Sequence, residues 1–376
     1  MLNNKKILFA TGGTGGHINP ALAVAGYIRN KYPNAQLLFV GTAARMEAQL
    51  VPAAGFAFKT IDIQGFSREM NLNGLKHNLK TLKLLATATG QAKKIIKEFS
   101  PDAVIGFGGY VSGPVLNAAA SMGIPTAIHE QNAFPGITNK SLAKKVDCVM
   151  LTSKEAEKLF KPKNPCVVTG LPIRSEIINA DREIARAQLK LDSRPLVLSM
   201  GGSLGAKAIN NAMKYIIGSK YKDKDCYFLH ATGKNGVGMF DELKAEYGIE
   251  LENEPQLMLR EYINDMDCCL AAADVVICRA GASSLCEIEA LGKPSILIPY
   301  PYAAENHQFY NAKTLADIDA AVLIEEKELS GEKLLAELNG LLSDRERLAR
   351  MGENARKTAI LDASERITDC LCSIMN

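Results

Sequence analysis

Four glycines fall within five positions in Thr11-Gly12-Gly13-Thr14-Gly15-Gly16-His17. Such a run lets the main chain close on a ligand, and a helix opening behind it offers unpaired N–H groups to an anion. Pro20 marks the expected start of that helix, since proline is tolerated in a first turn. His17 sits at the loop–helix junction, where an imidazole that titrates near neutral pH suits a general base. A capping or packing role is its plain alternative. Two further runs repeat the theme: Gly106-Phe107-Gly108-Gly109-Tyr110-Val111-Ser112-Gly113-Pro114 and Gly201-Gly202-Ser203-Leu204-Gly205-Ala206. In the last, Ser203 and the flanking amides are placed to cradle phosphate oxygens at a helix start. Each loop is a weak signal alone; three of them point to a phosphate-containing substrate pair.

Familiar alternatives fail on particular residues. A nucleotide-binding P-loop needs Gly-Lys-Ser/Thr, but His17 follows the glycines here. A dinucleotide site wants an acid at the end of the next strand, whereas Leu37-Leu38-Phe39-Val40-Gly41 has none and the first acid beyond is Glu47. Asp265-Met266-Asp267 imitates a metal–nucleotide signature, but two acids at a helix start are the commoner meaning of so short a pattern. With nine cysteines, no Cys-x-x-Cys and five histidines, no zinc spacing appears. No metal or cofactor is expected.

Something must position these loops. Short apolar runs at 7–10, 37–40, 103–107, 126–129, 148–151 and 166–169 alternate with amphipathic stretches such as 20–31 and 90–99. The pattern restarts at 195–200 and continues through 226–232, 257–260, 275–279, 295–299 and 321–324. Strand and helix alternating this way predict an α/β protein with two doubly wound parallel sheets. The seam falls at Gly170-Leu171-Pro172-Ile173, so the domains are 1–172 and 173–354, and the last helix, about 355–376, can pack back on the first. A length of 376 residues agrees with two domains. Ligands of such sheets bind beyond the C-terminal ends of the strands, which is where the glycine loops lie.

The formal net charge of +3 conceals two halves. Residues 1–172 carry 20 basic and 9 acidic side chains, whereas 173–376 carry 24 and 32. A basic first half suits an anionic partner, either nucleic acid or a membrane surface. Nucleic acid is disfavoured by the lack of an aromatic-rich RNA motif or zinc finger. An odd number of unpaired thiols fits a reducing compartment. Neither a secretory leader nor an apolar run of about 18 residues is present, so a cytoplasmic protein lying on a membrane, not through it, is expected.

Taken together, Gly-Gly-Thr-Gly-Gly-His at 12–17, Gly-Gly-Tyr-Val-Ser-Gly-Pro at 108–114, His129-Glu130-Gln131-Asn132, Gly201-Gly202-Ser203 and Cys278-Arg279-Ala280-Gly281-Ala282 resemble the MurG-type lipid II synthases. The likeness runs in order from about residue 5 to about 370. It implies a GT-B fold, two Rossmann-like domains facing a cleft. It also implies inverting transfer of N-acetylglucosamine from UDP-GlcNAc to the C4 hydroxyl of undecaprenyl-linked lipid I during peptidoglycan synthesis, with cell shape and division depending on the product. The first domain would hold acceptor and membrane, the second the donor.

Position by position, the resemblance makes His17 the proposed base and assigns Thr14, Gly15, Gly16 and Asn132 to the donor or reaction centre. Gly108, Gly109, Tyr110 and Ser112 fall on the acceptor side. Arg174 matches the arginine of the family's Gly-Asn-Pro-Val-Arg, with Leu171 replacing the asparagine. Ser203 matches a donor-diphosphate contact, and Ile263 a residue whose backbone reads uracil. Ala282, Ser283, Ser284 and Leu285 open a helix whose Glu287 would accept both ribose hydroxyls. Gln308 and Asn311 would meet the sugar, while His307 stands where some members have glutamine.

Leu72, Leu75, Leu79, Leu82 and Leu85 recur at helical steps, flanked by Lys76, Lys80 and Lys83. Pattern alone favours a buried core face; a lipid-linked acceptor favours a helix lying on anionic inner-leaflet lipid. The expected place is the cytoplasmic face of the cell membrane, with cell-wall synthesis proteins as further partners. Another GT-B enzyme of UDP-sugars, a glycolipid transferase or a 2-epimerase, is the alternative.

Overall fold

The computed structural model describes residues 2–65 and 72–375, with the backbone alone for 72–80, 82 and 83. The chain divides into two compact units: Met1–Pro172 together with Asp362–Asn376, and Ile173–Leu361.

In the first unit the strands are β1 (Lys6–Ala10), β2 (Gln36–Gly41), β3 (Ala57–Thr60), β4 (Ala103–Gly106), β5 (Thr126–Glu130), β6 (Cys148–Leu151) and β7 (Val167–Val168). All pairs are parallel, in the order β3-β2-β1-β4-β5-β6-β7. Side chains alternate across the sheet with period two. Leu8, Ala10, Val40, Val104, Ile128 and Val149 feed one apolar layer. Ile7, Phe9, Phe39, Ile105, Ala127 and Met150 feed the other, where Phe9 stacks on Phe39 at 4.8 Å between ring centres. Burial on both faces explains why these strands read as unbroken apolar runs. β3 is an exception. Its Ala-Phe-Lys-Thr is mostly exposed at the sheet edge and carries no apolar run to predict it from.

The second unit repeats the plan with β8 (Leu196–Met200), β9 (Tyr227–Ala231), β10 (Leu257–Arg260), β11 (Val275–Cys278), β12 (Ser295–Leu297) and β13 (Ala321–Leu323). The order is β10-β9-β8-β11-β12-β13, again all parallel. Leu196, Leu198, Val276 and Leu297 face one core, while Val197, Val275, Ile277 and Ile296 face the other.

After Leu361 the chain leaves the second unit. The helix Ala363–Ile374 buries Ile367 and Leu371 beside Ile7, Phe9 and Ile28 of the first. Its Glu365 accepts from Lys31 Nζ at 2.6 Å. The long helix Leu72–Phe99 buries Ala88, Ala92, Ile95 and Ile96, one stripe at four-, three- and one-residue steps. Lys93, Lys94 and Lys97 of the same helix are exposed. The side chains of Leu72, Leu75, Lys76, Leu79, Lys80, Leu82 and Lys83 lie outside the described residues, and Leu85 is partly exposed. Among the described residues no helix is long and apolar enough to cross a membrane.

Sheet order turns back between β1 and β4 in the first unit and between β8 and β11 in the second. Connections leave in opposite directions at such a point and open a crevice above the strand ends. In each unit the loops after its two strands lie at that unit's own crevice, and three of the four loops are the glycine runs.

Candidate functional site

The first loop runs from Thr11, whose N–H reaches the Val40 carbonyl, to Thr14, the N-cap of the helix Gly15–Lys31. That helix starts five residues earlier than Pro20 suggested. The Thr14 carbonyl already accepts the His17 and Ile18 amides, at 3.1 and 3.2 Å. Pro20 therefore forgoes only the bond to the Gly16 carbonyl, and its ring is buried in the core. Gly15 and Gly16 consequently form the first turn, where N–H groups have no intrahelical acceptor and no acidic side chain intervenes. Gly13 takes φ +93°, a conformation that side chains resist. Half-buried His17 places Nδ1 3.2 Å from Thr14 Oγ1.

Beneath this loop lies a residue that no motif flagged. Glu47 is fully buried, with Oε2 accepting the Gly13 amide at 3.0 Å. Its Oε1 accepts both the amide and the hydroxyl of Thr42, at 3.0 and 2.7 Å. The acid that failed as a ribose ligand is the loop's anchor. Its only sequence signal is a lone acid in the apolar Met46-Glu47-Ala48 stretch after β2.

The second loop closes on the first. Gly108 and Gly109 both have positive φ. A Cβ on Gly108 would sit 2.7 Å from the His17 ring, and one on Gly109 would strike the Gly12 carbonyl. Ser112 is not presented toward a ligand: it is fully buried, and its Oγ accepts the Gly108 amide at 3.0 Å. The same Oγ lies 2.8 and 3.1 Å from the carbonyls of Gly108 and Ala10. Tyr110, by contrast, is half exposed, its ring against the Gly65 backbone.

After β5, buried His129 donates from Nε2 to the Gly170 carbonyl at 2.8 Å and receives Gln131 at Nδ1. Burial drops its imidazole to about 4, despite the carbonyl, so it is a neutral strut and not a base. Burial likewise pushes the Glu130 carboxyl up, against the pull of amides from Asn132, Asn139 and Gly136. Both the backbone and side-chain amides of Asn132 bond Glu130 Oε1, at 3.0 and 3.2 Å.

In the second unit the third loop folds back before any helix begins. The Gly205 amide bonds the Gly202 carbonyl, and Gly205, at φ +82°, presses on the Thr232 carbonyl. Ser203 is thus exposed on a tight turn, and the helix Lys207–Lys220 starts only at Lys207, a correction to the expected helix start at the serine. The Ser203 carbonyl accepts the Lys234 amide.

The helix Ala282–Leu291 follows β11 directly, capped by Gly281 with no side-chain oxygen and no acid in its first turn. Ala282, Ser283 and Ser284 are half-buried there, while Leu285 turns into the core. One turn on, Glu287 receives Arg174 through both Nε and Nη2, at 3.0 and 2.8 Å. Burial raises the Glu287 carboxyl, with Arg174 pulling it back down. The pairing joins residues 113 apart in sequence.

Ile263 is buried in the core beside Leu270 and Leu285 and leaves only its backbone for recognition. Asp265 of the Asp-x-Asp pattern receives Arg260 at 2.6 Å. Gln308 Oε1 accepts the Tyr300 amide at 2.9 Å, and buried Asn311 donates to the Ala280 carbonyl at 3.2 Å, bracing the loop before Ala282. His307 Nδ1 lies 2.7 Å from the Ala304 carbonyl. Among the described residues no cluster has the makings of a metal site.

Comparison with known proteins matches the same two halves. Residues 7–151 fit the glycosyltransferase family 28 N-terminal domain, and 196–367 fit its C-terminal domain. The UDP-N-acetylglucosamine–N-acetylmuramyl-(pentapeptide) pyrophosphoryl-undecaprenol N-acetylglucosamine transferase of Acetivibrio thermocellus is 45% identical, over 98% of both chains. Its namesake in a Thermoanaerobacter species is 46% identical, over 98% of this chain and all of the other. The crystal structure of Acinetobacter baumannii MurG is 31% identical and superposes with a TM-score of 0.79, over 98% of this chain and 99% of that one. With two Rossmann-like units of GT-B type and relatives this similar along nearly its whole length, the chain belongs to glycosyltransferase family 28, among the MurG N-acetylglucosamine transferases.

Proposed function

We propose that the chain moves N-acetylglucosamine from UDP-GlcNAc to the C4 hydroxyl of MurNAc-(pentapeptide)-diphosphoryl-undecaprenol, converting lipid I to lipid II with inversion. The observation that carries this reading is the likeness, over 98% of both chains, to a transferase named for this reaction. The same likeness favours it over a glycolipid transferase or an epimerase.

The second unit would bind the donor. Glu287 would accept the ribose hydroxyls, and the first-turn amides of 282–284, with Ser203 and Arg174, would face the diphosphate. The backbone of Ile263 would read the uracil. Gln308 keeps its amide nitrogen for the sugar, whereas Asn311 would act chiefly by holding the 279–281 loop. In the first unit His17 would take the C4 proton, and the amides of Gly15 and Gly16 would stabilise negative charge as UDP departs. Thr14 orients the imidazole, and Asn132 and Tyr110 line the reaction and acceptor sides. Gly108, Gly109 and Ser112 would serve by shaping the loop.

The leucine–lysine stripe from Leu72 to Lys83 would lie on anionic lipid at the cytoplasmic face, with cell-wall synthesis proteins nearby. A 4-deoxy lipid I analogue tests the chemistry: it should bind and accept no sugar, whereas transfer to it would move the reaction to another hydroxyl. Vesicle binding tests the membrane face. Leu75→Glu with Leu79→Glu should lose anionic vesicles while staying folded, and unchanged binding would reject this face.

A further inference from the structure

Every group that meets the carboxylate of Glu47 is a donor: the Gly13 amide on one oxygen, the Thr42 amide and hydroxyl on the other. Two glycines leave it room. A Cβ on Gly12 would lie 2.6 Å from Oε1, and one on Gly41 would lie 2.6 Å from Cγ. The contacts continue upward. Gly12 meets Gly109 of the second loop, and the neighbouring Gly108 lies against the His17 ring. The buried carboxylate is thus the base of a stack that ends on the imidazole.

We propose that Glu47 is a positioning residue for the transfer reaction, setting through the first glycine loop where His17 stands. This rests on the reading of the chain as a glycosyltransferase whose base is His17. Glutamine cannot replace it. A carboxamide has one acceptor oxygen and one NH2, so one side would confront either the Gly13 or the Thr42 donor with another donor. Aspartate keeps two acceptor oxygens but is one methylene short, and should restore only part of the geometry. A shift of about 1 Å in a reacting group can cost about 100-fold in rate.

The test is Glu47→Gln and Glu47→Asp in the full chain, with kcat, both KM values, the melting temperature and the NMR signal of the His17 ring. The expected result is a fall in kcat of about 100-fold for glutamine, less for aspartate, with donor KM within about twofold and a displaced His17 signal. Gly12→Ala is the second variant, since it pushes on Oε1 without removing the carboxylate, and should show the same pattern if Glu47→Gln fails to fold. Wild-type kcat, or a His17 signal unmoved in folded variants, would overturn the proposal. The ring signal needs no substrate. A wild-type chain that transfers no sugar would therefore sink the functional reading, while this inference would still stand or fall on the histidine.

Discussion

Arg174 brings two N–H groups to one oxygen of Glu287, and the other oxygen, Oε2, accepts no hydrogen bond among the described residues. The arginine thereby fixes the carboxylate plane while leaving an acceptor for a ligand. A diol is the chemical partner of such an oxygen, since each hydroxyl donates once. Arg174 is half exposed whereas the Glu287 side chain is largely buried, so the arginine both compensates and orients a buried carboxylate.

Arg174→Ala should therefore raise the KM for UDP-GlcNAc about tenfold, equivalent to about 1.4 kcal/mol, and leave the largely buried Glu287 carboxylate without its partner. Lysine should recover only part, because a single ammonium cannot supply two N–H groups in a fixed fork. A variant with wild-type donor KM would remove Arg174 from the donor site.

Donor affinity should also depend on pH through Glu287. Burial raises its carboxyl above the usual glutamate range, and only the ionised form accepts from both ribose hydroxyls. Binding is thus full above the raised value and is lost as pH falls through it. Calorimetric titration of UDP-GlcNAc, whose diphosphate diester stays ionised throughout, from neutral to mildly acid pH should show the loss. Glu287→Gln should bind weakly and without that dependence.

Ser112→Ala separates a structural serine from a ligand contact. Removing the hydroxyl leaves the buried Gly108 amide without its acceptor, at a cost of about 1–3 kcal/mol. Chemical denaturation should show that loss. If Ser112 instead touched the acceptor, acceptor KM would rise at unchanged stability.

His17→Ala should lower kcat by about 10²–10⁴ while leaving UDP binding to the second unit intact. A near-normal turnover would transfer the base role to another residue.

How far the sequence foretold this molecule depends on what each element shows of itself. Strands buried on both faces, such as β4 with Ala-Val-Ile-Gly, announce themselves as apolar runs, and the glycine loops behind them followed at the right places. β3 did not, because an edge strand of Ala-Phe-Lys-Thr buries too little to leave a pattern. The helix start at Gly15 was hidden by Pro20, a residue that more often opens a helix than lies six positions into one. Glycine was legible as freedom to approach a ligand, yet Gly12, Gly41, Gly108 and Gly109 use much of that freedom against Glu47, His17 and one another. Pairings between distant residues, Glu47 with Gly13 and Arg174 with Glu287, have no local signature.

The most direct measurement is product analysis of the purified chain with radiolabelled UDP-GlcNAc and a lipid I analogue. One β-linked N-acetylglucosamine is expected on the MurNAc of the analogue for each UDP released, and no reaction when the analogue is omitted. Conversion of UDP-GlcNAc to its 2-epimer, or transfer to diacylglycerol in preference to the lipid I analogue, would contradict it.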